Sequence, residues 1–236
     1  MTEQLPLNIR LDRHATFDNF YVIEENKFLI SQLQLMLQQP SPYSFIYLWG
    51  PTGSGRSHLL QALAQHTHDA IYLPSKDIIH CDAAEVLAVL DTHSMLLIDD
   101  LPLFCGNRHW EENIFHLFNK LHHAGQKLVV TADVPPKELD IQLADLKSRL
   151  ASGLTLYIQP LSDVGKHAAL QFRANLRGFT LSDEVVEFLL QHESRHMHHL
   201  IDILNALDHN SLAKKHKLTI PFIRKILLQT RRPDII

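Results

Sequence analysis

The segment Gly50-Pro51-Thr52-Gly53-Ser54-Gly55-Arg56-Ser57 constrains this chain more than any other. It follows the apolar run Ser44-Phe45-Ile46-Tyr47-Leu48-Trp49 and opens a helical stretch, Ser57–His66. Glycines at this spacing let backbone N–H groups turn inward around phosphate oxygens, and the helix N-terminus adds partial positive charge. The pattern is the phosphate-binding P-loop at Gly50, Gly55 and Ser57, with a hydroxyl at Ser57 able to join a Mg²⁺ shell. Arg56 stands where the pattern calls for Lys. Arginine keeps the charge but is wider and planar, which suits a diphosphate better than close control of a γ-phosphate.

A P-loop needs an acid at the end of a neighbouring buried strand. Met95-Leu96-Leu97-Ile98-Asp99-Asp100 supplies one. Asp99 is the expected Mg²⁺ partner, and Asp100 is placed to orient or activate the attacking water. Further apolar runs, Ala70–Leu73, Lys127–Thr131 and Leu154–Ile158, alternate with amphipathic stretches at 25–38, 83–90 and 110–123. Such alternation implies an α/β fold, with a parallel sheet covered by helices on both faces. After Pro160 the pattern changes to three helical stretches within 163–228, the expected small all-helical lid. Boundaries follow: a flexible tail at 1–13, an α/β nucleotide-binding domain at 14–160, and a lid with C-terminal tail at 161–236.

Composition narrows the class. The 236 residues are 45 % hydrophobic and 20 % charged with a net charge of −4, ordinary for a soluble globular protein. Lys214-Lys215-His216-Lys217 and Arg231-Arg232 are isolated basic runs rather than a stripe, so direct DNA binding by phosphate neutralisation is not expected. Cys81 and Cys105 form no disulfide pattern. No signal-like or membrane-length apolar segment is visible, and a cytoplasmic location is expected.

With both motifs in place, the chain resembles the replication initiator DnaA family of AAA+ proteins, over nearly its whole length. Phe17-Asp18-Asn19-Phe20 and Asn26 resemble the segment that leads into the fold near the adenine base, which implies Phe20 as a base contact. Trp110–Asn119 resembles the helix after the acidic strand. Val129–Pro136 resembles the sensor 1 strand and makes Asp133 the sensor 1 candidate. Leu146-Lys147-Ser148-Arg149-Leu150 resembles the arginine-finger segment, so Arg149 is the residue offered to a neighbour's γ-phosphate. His58 follows Ser57 into the phosphate site.

Two features resemble the family's regulatory inactivators rather than the initiator. The sequence ends at Ile236, and a DNA-binding helix-turn-helix domain after the lid is not expected. It begins Gln4-Leu5-Pro6-Leu7-Asn8-Ile9, similar to peptides that dock on the DNA sliding clamp. In such peptides Leu5, Leu7 and Ile9 would fill an apolar pocket while Gln4 fixes register. Sensor 2, normally Arg, falls on His198, with Arg195 one turn earlier as a substitute. Histidine is neutral near pH 7 unless perturbed, so together with Arg56 it implies a weak own ATPase; of ADP and ATP as the bound nucleotide, with Mg²⁺, a resident ADP fits better. The resemblance implies DnaA and the sliding clamp as partners, DNA only indirectly through the clamp, and a homo-oligomer among the expected assemblies. The implied role is an activator of hydrolysis in DnaA.

Two rival readings remain at this point. One is a helicase- or clamp-loading ATPase working on its own substrate. The other is a zinc hydrolase, because His192-Glu193-Ser194-Arg195-His196 spells two histidines four apart around a glutamate, with His199 a turn on. With 17 histidines in the chain, chance supplies such a string about once in twenty sequences. The resemblance places a helix boundary here, with Ser194 as N-cap, which would part His192 from His196.

Overall fold

The computed structural model describes residues 14–88, 90, 93–214 and 218–230. The sliding-clamp motif at Gln4, Leu5, Leu7 and Ile9 lies outside the described residues, as does Arg231-Arg232. The chain divides into two compact units, Met1–Pro160 and Leu161–Ile236.

The first unit holds the strands β1 (Phe45–Trp49), β2 (Ala70–Pro74), β3 (Met95–Asp99), β4 (Lys127–Ala132) and β5 (Leu154–Tyr157). They form one sheet in the order β2-β3-β4-β1-β5, and every pair is parallel. The helices are α1 (Lys27–Met36), α2 (Arg56–His66), α3 (Ser75–Ile78), α4 (Ala83–Ala88), α5 (Arg108–His123) and α6 (Ala144–Ala151). Parallel strands need crossovers, and helices packed on both faces bury each strand twice. Hence β3 is buried along its whole length. Two apolar clusters result. One gathers Trp110, Ile114, Leu117 and Phe118 of α5 against Leu96, Ile98, Leu128 and Val130. The other gathers Leu29 and Leu33 of α1 and Leu59, Leu60 and Leu63 of α2 against Ile46, Leu48, Leu97 and Val129. Residues i and i+2 of one strand serve one cluster and the intervening residue the other, as pleating requires.

The register sets the carboxyl edge of the sheet. Trp49 lies opposite both Ala132 and Tyr157, and Pro74 opposite Asp99. The residues that follow these partners, Gly50, Asp133, Ile158, Ser75 and Asp100, therefore meet at one rim. Ligands of open α/β sheets bind at this rim, where the connections reverse direction.

The second unit is helical: α7 (Asp163–Leu176), α8 (Asp183–His192), α9 (Met197–Lys214) and α10 (Ile220–Thr230). The Ser162 hydroxyl caps α7 by accepting from Gly165 N at 3.1 Å. Leu170, Val186, Leu189, Leu200, Leu204 and Ile223 pack into its own core. Among the described residues four helices stand where periodicity indicated three stretches, because α9 and α10 are separate helices. Among the described residues, no helix is long and apolar enough to cross a membrane.

Candidate functional site

The P-loop lies where its sequence placed it, between β1 and α2. Gly53 and Gly55 have φ of +81° and +102°, a backbone region that favours glycine. Gly50 lies against the end of β5, where a Cβ would sit 2.8 Å from the Ile158 carbonyl oxygen. Its N–H donates to the Ala132 carbonyl at 3.2 Å, tying the loop to β4. Pro51, Thr52 and Gly53 are exposed, whereas Ser54, Arg56 and Ser57 are half-buried.

Phe20 covers the loop's last turn: a Cβ on Gly55 would sit 2.6 Å from its ring. The Phe20 and His58 ring centroids are 5.5 Å apart. His58 Nε2 lies 2.9 Å from the Thr16 carbonyl, and Gln65 donates to the Ala15 carbonyl at 2.7 Å. The leading segment is thus strapped along α2, and His58 holds the strap rather than facing the loop alone. Asn26 is 1 % exposed. It exchanges two hydrogen bonds with the Gln159 backbone, donating to its carbonyl and accepting from its N–H, both at 2.9 Å. Its role here is to join the start of the fold to the segment after β5.

The acidic partners behave differently from each other. Asp99 is buried, and both of its oxygens accept hydroxyl donors: Thr131 Oγ1 at 2.6 Å and the Tyr72 OH at 2.7 Å. The Thr131 oxygen also accepts from Asp100 N at 2.9 Å, completing a relay between β3 and β4. Beside a buried carboxylate, the Tyr72 hydroxyl titrates well above its usual range, chiefly through burial and then through the Asp99 charge. Asp100 takes a left-handed backbone conformation, with φ 57°, that turns the chain off the strand. Its carboxylate accepts from Arg56 Nη2 at 3.0 Å. Burial and the neighbouring Asp99 raise its pKa above the ordinary 3.8, while Arg56 opposes the shift. Asp133 is exposed at the end of β4 and adds its own charge to Asp100.

The fit to a phosphate ligand can be judged from polar atoms alone. Ser54 Oγ, Arg56 Nη1 and Ser75 Oγ are buried without hydrogen-bond partners, a costly arrangement in a finished core. All three residues lie on the loop or at the carboxyl end of β2, beside the acid pair. Donors of this kind suit phosphate oxygens. Ser57 and Asp99 would hold Mg²⁺, with Asp99 using the lone pairs left by Tyr72 and Thr131.

Arg149 is elsewhere. It is exposed on α6, and no hydrogen bond or ion pair holds its side chain among the described residues. Just beyond that helix, Gly153 packs on Phe45 so closely that a Cβ would overlap its ring. Phe45 is the first residue of β1, so the end of α6 lies at the amino edge of the sheet. The P-loop is at the other edge, about 16 Å along a five-residue strand. Arg149 is placed away from this chain's own loop.

In the second unit, the structure overturns the zinc-hydrolase reading. α8 ends at His192, Glu193 is extended, and α9 begins only at Met197. His192 and His196 therefore do not share a helix face. His192 stacks on Phe188 at 4.4 Å, and Glu193 accepts from or pairs with His199 at 3.0 Å. Among the described residues, no group of three His, Cys, Asp or Glu side chains could hold a metal. The capping expectation also shifts: the first carbonyl to accept within α9 is that of His196, from Leu200 N, not that of Ser194. His198 is exposed, 3.5 Å from Asp202. Arg195 donates to Asp163 at 3.0 Å and to the Leu190 carbonyl at 3.2 Å.

Sequence patterning missed Tyr72, Thr131 and Glu111. Thr131 had a signal, a lone hydroxyl after the apolar run Leu128-Val129-Val130 of β4. Tyr72 and Glu111 had none, since each fits its element's pattern as an ordinary residue.

A parallel β2-β3-β4-β1-β5 sheet, a P-loop after β1, an acid pair after β3 and a helical second unit define an ATPase fold of the AAA+ class. Family models agree in detail. The bacterial DnaA ATPase domain matches residues 11–157, and the lid domain of Hda matches residues 163–227. The chain belongs to the DnaA family of AAA+ proteins, with a lid of the Hda type. An uncharacterized protein of Haemophilus influenzae is 40 % identical over 235 residues, covering 96 % of this chain and 99 % of that one. Domain III of the Thermotoga maritima replication initiation protein DnaA has the same fold. Its TM-score is 0.74 at 22 % identity, over 95 % of this chain and 100 % of that chain. AMPPCP-bound DnaA from Aquifex aeolicus gives 0.71 at 22 %, covering 88 % of this chain and 70 % of that chain. The chain is a DnaA-related protein of replication control with a nucleotide-binding fold.

Proposed function

We propose that the chain is a negative regulator of replication initiation that acts by promoting hydrolysis of ATP held by a DnaA initiator. The observation that carries this reading is the placement of Arg149. It is an exposed guanidinium, unpaired among the described residues, at the sheet edge opposite its own P-loop, which supports a role at a neighbour's nucleotide. Placed against the γ-phosphate of that neighbour, its fork of donors stabilises charge that develops on the transferring phosphoryl group. Fingers supplied in trans in this way are worth about 10³–10⁵ in rate.

The chain's own pocket suits a resident ADP that holds shape. Arg56 is engaged by Asp100, and Asp99 already accepts two hydroxyls, which favours diphosphate retention over turnover. Gln4, Leu5, Leu7 and Ile9 dock the protein on the sliding clamp, so that it acts where the clamp is loaded on DNA. Ser57 and Asp99 hold Mg²⁺; Asp133 senses the pocket from β4; Phe20 packs beside the base. In this reading His198 takes the sensor 2 role in the lid, with Arg195, one turn earlier, as its substitute.

The test is hydrolysis of DnaA-bound ATP in the presence of clamp loaded on DNA. Arg149→Ala is expected to abolish stimulation while the fold is kept, and Gln4→Ala with Leu7→Ala to abolish it only when the clamp is required. Full stimulation by Arg149→Ala would refute the finger assignment.

A further inference from the structure

Glu111 is inconspicuous in the sequence, yet among the described residues it is the most deeply buried acid outside the nucleotide site, 1 % exposed on α5. Nothing about its position on an amphipathic helix requires burial, and its neighbour Glu112 pairs at the surface with Arg108. A buried carboxylate survives only if its lone pairs are used. Those of Glu111 are used entirely by backbone donors from two separate loops. One oxygen accepts from Gly106 N at 2.8 Å, and the Gln142 N–H is shared between both oxygens at 3.0 and 3.2 Å. The second oxygen also accepts from Leu143 N at 2.8 Å. The Gln142 side chain returns the link by donating to the Gly106 carbonyl at 3.3 Å.

Each loop leads somewhere specific. Gly106 ends the short turn Leu101–Phe104 and Cys105 that starts at Asp100, the residue paired with Arg56 of the P-loop. Within that turn Phe104 is 1 % exposed and stacks on Trp110, the neighbour of Glu111, with centroids 4.1 Å apart and planes at 20°. Leu143 is the residue before α6, the helix that carries Arg149. A carboxylate is a rigid plane, so movement of the Gly106 side is transmitted to the amides on the Gln142–Leu143 side through bonds that are charge-assisted and directional.

We propose that Glu111 is a positioning residue that couples this chain's nucleotide pocket to its arginine finger, by fixing the start of α6 to the turn that follows the acid pair. The inference rests on the finger reading given above. It explains how a nucleotide that is not turned over can still govern activity toward a partner. When the pocket is filled, the Asp100 turn is held, Glu111 holds the first turn of α6, and Arg149 is presented in one orientation.

The experiment is amide hydrogen exchange on the full chain, with and without ADP and Mg²⁺, combined with stimulated hydrolysis by DnaA. In the wild type, ADP with Mg²⁺ should slow exchange at Gln142 and Leu143 several-fold. Glu111→Gln keeps the shape but removes the charge. It should bind ADP within about twofold of wild type, lose the exchange response, and lower the stimulated rate at saturation about tenfold with little change in apparent affinity. Glu111→Asp, which keeps the charge and shortens the reach, should give the same pattern and replaces the first variant if that one does not fold. A merely structural role would lower stability without removing the nucleotide response. Wild-type amides indifferent to ADP, or a Glu111 variant with full stimulation, would overturn the coupling. Full stimulation by Arg149→Ala would instead overturn the finger, and the exchange response, which needs no partner, would still decide the coupling.

Discussion

Replacing Thr131 by Val should cost far more stability than the loss of one hydroxyl suggests. Thr131 is fully buried and its oxygen works twice, donating to Asp99 at 2.6 Å and accepting from Asp100 N at 2.9 Å. The first bond, to an ionised acceptor, is worth about 1.5–3 kcal/mol, and stranding the Asp100 N–H costs about 1–3 kcal/mol more. Some relaxation is expected, so the net loss should be about 3–4 kcal/mol. At roughly 2–4 °C per kcal/mol for a unit of this size, the midpoint should fall by about 6–16 °C. Tyr72→Phe removes a single donor from the other Asp99 oxygen and should cost about 1.5–3 kcal/mol. Because both hydroxyls serve one carboxylate, the double variant should fall short of or exceed the sum by about 0.5–3 kcal/mol. Both tryptophans of the chain, Trp49 and Trp110, belong to the first unit. Urea unfolding followed by tryptophan fluorescence therefore reports that unit alone, free of the helical one. Thr131→Ser, which keeps the hydroxyl and removes a methyl, is the control and should cost about 1 kcal/mol. A loss below about 1 kcal/mol for Thr131→Val, or strict additivity with Tyr72→Phe, would refute the relay.

Other outcomes follow from the same site. Gly55→Ala should be destabilised twice, by a side chain at φ +102° and by the Phe20 ring 2.6 Å from the new Cβ. Adding Phe20→Ala should relieve the clash but leave the backbone cost of about 1–2 kcal/mol, read in the same urea series. Asp100 has a folded pKa raised above 3.8 by burial and Asp99. Its contribution to stability is therefore complete below that value and lost as pH rises through the folded pKa. Carboxyl NMR should show the raised midpoint, and Arg56→Met should move it higher still. The histidine-rich turn between α8 and α9 should hold no stoichiometric zinc by elemental analysis, and His192→Ala with His196→Ala should leave stimulated hydrolysis intact.

Much of the site was legible in the chain because its signals are local. A glycine-rich loop between a strand and a helix, and two aspartates after a buried strand, need only neighbours in sequence to be recognised. The boundary near Pro160 was visible because strand patterning stops there. Pairings made across the fold were not visible. That Arg56 meets Asp100, and that Asp99 is served by hydroxyls from β2 and β4, depends on strand order, which periodicity does not encode. Glu111 was hidden for a related reason: a helix pattern assigns acids to water, yet this one is buried because two loops bring it backbone donors. The α8–α9 turn failed in the opposite sense, since a spacing that looks like a metal site on paper loses its meaning once a helix ends inside it.

The Asn26 clasp has a consequence for how this sheet behaves toward other chains. The N–H of Ile158 points inward to Trp49, so the peptide groups of Gln159 point outward, at the open side of β5. Left bare, such groups are a template on which another strand can align and begin aggregation. The Asn26 side-chain amide takes both, one donor and one acceptor, like a single peptide unit of a strand that is not there. The opposite edge is closed differently: β2 ends in Pro74, which has no N–H to offer. Each margin of the sheet thus ends where the backbone group a partner strand would use is either taken up by Asn26 or missing at Pro74.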